Sequence, residues 1–505
     1  MIKRINKIAA LFVTGWLFIT IAPAIAQEVY HEAYRPQEHF SPKEKWMNDP
    51  NGMVYYKGTY HLFFQYYPGD INWGPMHWGH AVSKDLIHWE QLPIALYPDS
   101  LGYIFSGSAV VDEHNTSGFG KNGQPPLVAI FTSHDPKGER AGKDNFQNES
   151  IAFSLDEGKT WTKYAGNPVL KNPGIGDFRD PKVMWYAPEK KWVMTLATKD
   201  RVTFYASPNL KDWKKESDFG ATEGAHGGVW ECPDMFPLKL NDKTYWILIG
   251  NLNPGGPNGG SATQYFVGEF NGRQFTPIDN GQRWLDYGPD EYAGITWSNT
   301  GDRKIFLGWM SNWQYAGQLP TEKWRNAMTI PRELSLKEVG GKILVASEPV
   351  KELSVIETKP RMIRPEAGTD ILAARANHSG RYLLKMSMDK LQDYTLTLSN
   401  DAGEKLVLGY NRPENHYFID RSKSGNTAFN PAFSKVAYAP RLTAATVADL
   451  TLVVDDSSLE LFADKGLTVM TTLFFPKTPF THLVLTNDKG TVIKQITLTP
   501  LISIW

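Results

Sequence analysis

The chain is 505 residues long, and its 41% hydrophobic and 21% charged residues exclude a disordered, collagenous or coiled-coil protein, because the core is large and the charge density ordinary. With 53 Lys and Arg against 54 Asp and Glu, and no basic block among them, a polyanionic partner such as nucleic acid is excluded as well, since it needs clustered neutralising charge. The ligand implied is uncharged; 17 Trp, 22 Tyr and 25 Phe suit the apolar faces of sugars, although most of these aromatics serve equally to fill β-sheet layers.

Lys3, Arg4 and Lys7 precede an apolar run over residues 8–21, and Ala24-Ile25-Ala26 supplies a small-x-small cleavage pattern. Residues 1–26 therefore read as a signal peptide, with the mature chain starting near Gln27 and exported to the periplasm or the medium. The run is shorter than the roughly 20 residues needed to span a bilayer. No Cys follows the cleavage site to carry a lipid, so no membrane anchor is expected in the mature chain. The single Cys, Cys232, permits no internal disulfide, and the exported protein must be held by its core alone. Asn115-Thr116-Ser117, Asn148-Glu149-Ser150 and Asn377-His378-Ser379 match the N-glycosylation tripeptide, as chance allows in a chain of this length.

From about residue 46 the sequence consists of short runs rich in Val, Ile, Tyr, Phe and Trp, separated by Gly, Pro, Asn and Asp clusters, with no long stretch of helical periodicity. A unit recurs: a polar opening loop, a strand, a tight polar turn, a second strand and a closing motif that ends in an aromatic. The first unit opens at Asn48-Asp49-Pro50-Asn51-Gly52, turns at Lys57-Gly58 and closes at Trp89; the second opens at Phe105-Ser106-Gly107-Ser108 and closes at Trp161. The third opens at Arg179-Asp180-Pro181 and closes at Trp213, the fourth opens at Glu231-Cys232-Pro233-Asp234 and closes at Phe275, and the fifth opens near Asp290-Glu291-Tyr292 and runs through residues 305–310. Five units of roughly 50–75 residues, each long enough for four short strands, predict an all-β fold beginning with a five-bladed β-propeller over residues 27–350. Residues 351–366 form a charged, Pro-bearing linker, and the alternating runs of residues 367–505, which lack acidic openings, predict a C-terminal β-sandwich with a structural role.

If each unit is one blade, its opening loops converge at one end of the central channel. Asp49, Asp180 and Glu231 then occupy equivalent positions in three units and share one pocket. As turn acids they are unremarked, since Asp-Pro is common in turns; three at repeat-equivalent positions ask for chemistry. Two carboxyl groups flanking a glycosidic bond suffice for hydrolysis, provided one is ionised and the other protonated. Val229, Trp230, Cys232 and Pro233 are weakly solvating neighbours expected to raise the pKa of Glu231, the amides of Asn48 and Asn51 are expected to keep Asp49 ionised, and Arg179 is expected to keep Asp180 charged. A calcium site built of oxygens is the competing use of three acids, but no histidine stands at ligand spacing, and neither a metal nor a cofactor is expected.

Trp46-Met47-Asn48-Asp49-Pro50-Asn51-Gly52, Phe105-Ser106-Gly107-Ser108, Arg179-Asp180-Pro181 and Glu231-Cys232-Pro233 together resemble glycoside hydrolase family 32, the invertases, inulinases and levanases. The seven-residue stretch alone arises by chance about once in 10⁹ positions at ~5% per residue. Residues 417–422 and 456–462 are similar to the family's C-terminal sandwich, so the resemblance covers essentially the whole mature chain. It implies Asp49 as nucleophile, Glu231 as general acid/base and Asp180 as transition-state stabiliser in a retaining hydrolysis of β-fructofuranosides. Asn48, Gln65, Trp73, Phe105, Ser106, Arg179 and Trp313 match positions lining the fructosyl pocket; core packing is the competing reading for Trp73 and Trp313, and buried packing is the expectation for Cys232.

The stretch of residues 308–315, followed by Pro320-Thr321 and Trp324-Arg325, is more similar to exo-acting levanases and inulinases than to sucrose-specific invertases. The function expected is therefore release of terminal fructose from levan or inulin, and cleavage of sucrose. Endo-levanase action, a non-catalytic sugar-binding propeller, an inverting propeller glycosidase acting on pentosans and a purely structural secreted β-protein are the alternatives.

Overall fold

The computed structural model describes residues 30–364, 366, 368–373, 380–488 and 490–505. The signal segment 1–26 with its cleavage site, the tripeptide at Asn377, linker position 365 and the expected sandwich start at 367 lie outside the described residues.

The fold is all-β, a five-bladed propeller followed by a sandwich. Blade I comprises Lys45–Tyr56, Thr59–Tyr67, His77–Ser83 and Glu90–Leu96, and blade II comprises Tyr103–Val111, Leu127–His134, Gln147–Ser154 and Thr162–Lys163. Blade III is built of Phe178–Tyr186, Lys191–Thr198, Val202–Ser207 and Lys214–Phe219, and blade IV of Val229–Leu240, Lys243–Asn253, Ala262–Phe270 and Phe275–Pro277. Blade V comprises Tyr292–Thr296, Ile305–Met310, Arg332–Val339 and Lys342–Pro349. Its inner pair is where the sequence pattern puts it, but the chain leaves the blade after Met310 and returns only at Arg332. Turn chemistry sets the hairpins. Lys57-Gly58 and Gly340-Gly341 each hold two consecutive positive φ angles between directly paired residues, the tight turn whose twist matches that of the strands.

The innermost strands neighbour one another around the axis in chain order, and aromatic and branched side chains fill the wedges between blades, as Val54, Phe63, Trp78, Ala109 and Phe131 do between blades I and II. The ring closes between blades V and I. Ser298 N donates to Met53 O and Tyr55 N to Ser298 O, both at 3.0 Å, while Trp297 Nε1 donates to His61 O at 2.9 Å. Lys45 and Trp46 also pair in parallel with Trp324 and Arg325, which returns the excursion after Met310 to blade I beside the axis.

The sandwich packs a six-stranded sheet, ordered Arg361–Ile363, Val492–Pro500, Tyr382–Lys390, Ala448–Val454, Ser458–Ala463 and Thr468–Leu473, on a five-stranded one. Part of the expected linker is thus sheet. The Thr468–Leu473 edge docks on the propeller, where Thr471 N donates to Asp286 Oδ1 at 2.9 Å. Glu460 and Arg332, both wholly buried, ion-pair across this interface, and Arg332 Nη1 also reaches Asp286 at 2.9 Å. His39 bridges Asp455 and Glu460 at 2.7 and 2.9 Å. Burial alone lowers the proton affinity of His39; these two bonds outweigh it and raise the pKa to about 9. Among the described residues, Glu38, His39 and Asp455 form the group whose ligand atoms lie close enough together for one ion, and both ring nitrogens of that histidine are already bonded.

Candidate active site

Each innermost strand carries a β-bulge at its opening motif, two residues standing opposite one of the next strand. The unpaired residues are Asn48-Asp49, Phe105-Ser106, Asp180-Pro181, Cys232-Pro233 and Ala293-Gly294. A bulge twists the strand and re-aims its side chains, and those of Asn48, Asp49, Phe105, Ser106 and Asp180 line one cavity. Several sit at φ values rare outside glycine: 64° at Asp180, 41° at Cys232 and 55° at Ala293. The register corrects one expectation. Asp49 is the second unpaired residue of its bulge, Asp180 the first, and Glu231 the last paired residue before one, so the three acids hold successive positions rather than one equivalent position. They still converge, because the bulge lets each of these positions reach the axis.

One cavity of about 340 Å³ is lined by Asn48, Asp49, Gln65, Trp73, Phe105, Ser106, Arg179, Asp180, Glu231 and Trp313, which brings together every residue named from sequence. Trp73 is 45% exposed, which excludes core packing for it. Trp313 is half-buried and stacks on Trp46 at 5.9 Å, offering the cavity its other side. Gln65 stands opposite the first bulge, and its buried Nε2 finds no partner among the described residues, a donor free for a ligand hydroxyl.

Asp49 Oδ1 accepts from Asn48 Nδ2 at 3.0 Å and Oδ2 from Ser106 Oγ at 2.8 Å. Asn51 does not reach the carboxylate; its amide donates to the Asp49 carbonyl at 3.4 Å. Burial and then the charge of Glu231 push Asp49 upward, outweighing the two side-chain donors that were expected to decide its state. Arg179 also departs from expectation. Its Nη2 and Nε donate to Glu231 Oε1 at 2.9 and 3.2 Å and its Nη1 to Asp177 at 2.6 Å, while Asp180 lies 3.9 Å from Nε. Burial therefore wins at Asp180: despite Arg179, and with Glu231 and Asp49 adding repulsion, its pKa rises to about 7. Cys232 N donates to Asp180 Oδ2 at 3.0 Å, and Thr132 Oγ1 accepts from Asp180 N at the same distance, so the residue is fixed from both sides.

Of the neighbours expected around Glu231, Trp230 faces elsewhere. Trp230 turns into the core and donates to Ala225 O at 2.9 Å, and Glu231 meets Arg179 on one oxygen and the Tyr292 hydroxyl on the other. Cys232 is buried, its thiol held well above the usual range by burial and then by the three carboxylates, with Sγ 3.5 Å from Asp49. It packs as expected.

Sequence reasoning missed Tyr292, and His134, Glu139, Gln147, Asp177 and Asn253 of the cavity wall. Tyr292 was within reach, since it stands at the opening of the fifth unit, where the convergence rule applies. Asp177 precedes the third opening by two residues. His134, Gln147 and Asn253 come from second and third strands and carry no local signature. His134 stacks under Phe105 at 4.1 Å, and burial, followed by the charge of Arg179, lowers its pKa to about 4, so it is a neutral support.

Residues 39–347 match the family model described as Glycosyl hydrolases family 32 N-terminal domain, and residues 360–500 the one described as Glycosyl hydrolases family 32 C terminal. A levanase of Bacillus subtilis is 45% identical over 522 aligned positions, spanning 100% of this chain and 76% of that protein. An extracellular exo-inulinase of Aspergillus awamori is 41% identical over 502 positions, spanning 92% and 93%. The crystal structure of exo-inulinase from Aspergillus awamori superposes with a TM-score of 0.85 at 39% identity, covering 94% of this chain and 100% of that one. A β-fructofuranosidase from Schwanniomyces occidentalis, complexed with fructosyl-erythritol, gives 0.84 at 31% identity over 95% and 99%.

Proposed function

The chain belongs to glycosyl hydrolase family 32, and from that premise we propose that it is an exported β-fructosidase that removes terminal β-D-fructofuranosyl units from fructans and from sucrose by double displacement. The observation that carries this reading is the single cavity in which Asp49, Asp180 and Glu231 meet beside Trp73, Trp313 and the unpartnered amide of Gln65. At about 340 Å³ it lies at the small end of ligand pockets, which suits one terminal sugar unit better than the interior of a chain.

In the first step Asp49 attacks the anomeric carbon while Glu231 delivers a proton to the departing oxygen. Two features prepare this: the Asn48 and Ser106 donors aim the Asp49 carboxylate, and Arg179 with Tyr292 holds Glu231 by both oxygens. Burial and mutual repulsion keep a proton within the carboxylate cluster near neutral pH, as the position of Asp180 near 7 indicates. The proton held in the cluster is the one that Glu231 delivers, which leaves Asp180 ionised; as the ring flattens and gains positive charge, Asp180 attracts it and strengthens its bonds to ring hydroxyls, so its contribution belongs to the transition state. Water, deprotonated by Glu231, then frees fructose with retained configuration, which requires the nucleophile and the acid about 5–5.5 Å apart.

Export rests on the N-terminal charged and apolar segment, and on relatives named as extracellular. Among the described residues no helix is long and apolar enough to cross a membrane. A timed product profile on levan tests the exo reading: free fructose appears from the first sample, whereas oligosaccharides released ahead of fructose overturn it.

A further inference from the structure

Arg421 lies in the sandwich strand His416–Lys423, yet both terminal nitrogens of its guanidinium reach the propeller. Its side chain is 2% exposed. Nη1 ion-pairs with Asp290 Oδ2, and Nη2 donates to the Tyr315 hydroxyl at 2.8 Å, which in turn donates to Asp290 Oδ1 at 2.5 Å. Nε donates to Phe433 O at 2.6 Å, and the group lies 3.8 Å over the Phe433 ring, so the fork cannot swing away. Arg421, Asp290 and Tyr315, all buried, thus close a ring of charge-assisted bonds. Leu473 N, also of the sandwich, adds a fourth bond, to Asp290 Oδ2 at 2.8 Å.

Two members of this ring are each two residues from a side chain of the site. Asp290 precedes Tyr292, whose hydroxyl donates to Glu231, and Tyr315 follows Trp313, which lines the sugar pocket. Both segments have ties of their own: Tyr292 pairs with Trp309, Gly294 N donates to Asn251 Oδ1 at 3.1 Å, Trp313 N donates to Ser261 Oγ at 3.2 Å, and Asn312 Nδ2 joins the two by donating to Pro289 O at 2.7 Å. The fork of Arg421 therefore fixes the main chain next to a proton-holding hydroxyl with one arm and next to a substrate-facing ring with the other. Displacement of such a group by about 1 Å costs on the order of 10²-fold in rate.

We propose that Arg421 is a positioning residue of the active site, through which the sandwich sets Tyr292 against Glu231 and Trp313 against the sugar. This rests on the reading of Glu231 as the acid/base. A mere staple between the two parts of the fold changes thermal stability and leaves turnover alone; a positioning fork changes kcat and KM separately, arm by arm.

The experiment is steady-state sucrose hydrolysis by Arg421→Lys, Arg421→Gln and Tyr315→Phe, with melting curves alongside. Tyr315→Phe frees the Trp313 arm and takes one bond from Asp290, which stays held by Arg421 Nη1 and Leu473 N, so KM rises about fivefold or more with kcat within about twofold. Arg421→Lys keeps a cation on Asp290 but cannot fork, and reproduces that split, while Arg421→Gln loses both arms and lowers kcat tenfold or more. Rescue of kcat but not of KM by lysine is the signature. If Arg421→Gln does not fold, the other two variants decide. Lowered melting points with kcat and KM within twofold of the parent in both of them overturn the proposal. Failure of the underlying reading is distinct, since it appears as parental kcat in Glu231→Gln.

Discussion

Replacing Asp180 by Asn isolates the charge that the proposed mechanism places under the flattening ring. The substitution is nearly isosteric, and the amide oxygen can still accept from Cys232 N, which holds Oδ2 at 3.0 Å. Two contributions disappear. A hydrogen bond from a ring hydroxyl to a charged acceptor is worth about 1.5–3 kcal/mol more than an unmade one. The attraction between a carboxylate and an oxocarbenium centre ~5 Å away is about 3 kcal/mol at an effective dielectric constant of ~20. Together they give about 5 kcal/mol, or about 10³–10⁴-fold in kcat. Because both arise as the sugar gains charge, KM stays within a few-fold of the parent. Stability moves the other way or not at all: Asp180 is buried, lies 3.9 Å from Arg179 and has its pKa raised to about 7, so a neutral amide removes an unfavourable burial. Initial rates of fructose release from sucrose, with melting curves, test this. A kcat within tenfold of the parent, or a loss carried wholly by KM, refutes the reasoning.

Asp49 must be ionised to attack, and burial with the charge of Glu231 raises its pKa, so the acid limb of kcat/KM lies above the ordinary aspartate value of about 3.9. Glu231→Gln removes that charge, and the limb moves to lower pH when followed with fructosyl fluoride, whose leaving group needs no proton. Trp73 is 45% exposed, so Trp73→Ala leaves the melting point unchanged and raises KM about tenfold, whereas Trp46→Ala, at a wholly buried site, costs about 3–5 kcal/mol of stability. At the interface, His39 has a folded pKa of about 9 against an unfolded value near 6.5. Its contribution of about 3 kcal/mol is therefore complete below pH ~6.5 and lost as pH rises to ~9; melting points fall over that interval, and His39→Gln flattens the slope.

The propeller was legible because its signals are local. Period-two runs recur in five units, and two-residue turns such as Lys57-Gly58 and the Pro that directly follows Asp49 and Asp180 announce where strands turn and begin. Asp49, Asp180 and Glu231 followed from the same repeats. What local sequence does not hold is register: the one-residue offsets among the three acids arise from which partner residue stands opposite each bulge. The electrostatics failed for a related reason. Arg179 is adjacent to Asp180 in sequence, but its fork is aimed across the axis at Glu231, and Tyr292 arrives from the fifth blade, 61 residues further along the chain. Glu460 misleads in its own way. Between Leu459 and Leu461 it reads as the solvent side of an alternating strand, yet it is wholly buried, because the propeller covers that face and supplies Arg332 and His39 to meet it.

The claim on which the rest depends is that Asp49 forms a bond to the sugar. Glu231→Ala treated with fructosyl fluoride retains the leaving-group step and slows hydrolysis of the intermediate, so acid quenching followed by peptide mass spectrometry captures the enzyme in mid-cycle. The account predicts one added fructosyl residue on the peptide that carries Asp49, and its absence when Asp49→Asn is introduced as well. An unmodified peptide under turnover, or the fructosyl residue on Asp180, contradicts it.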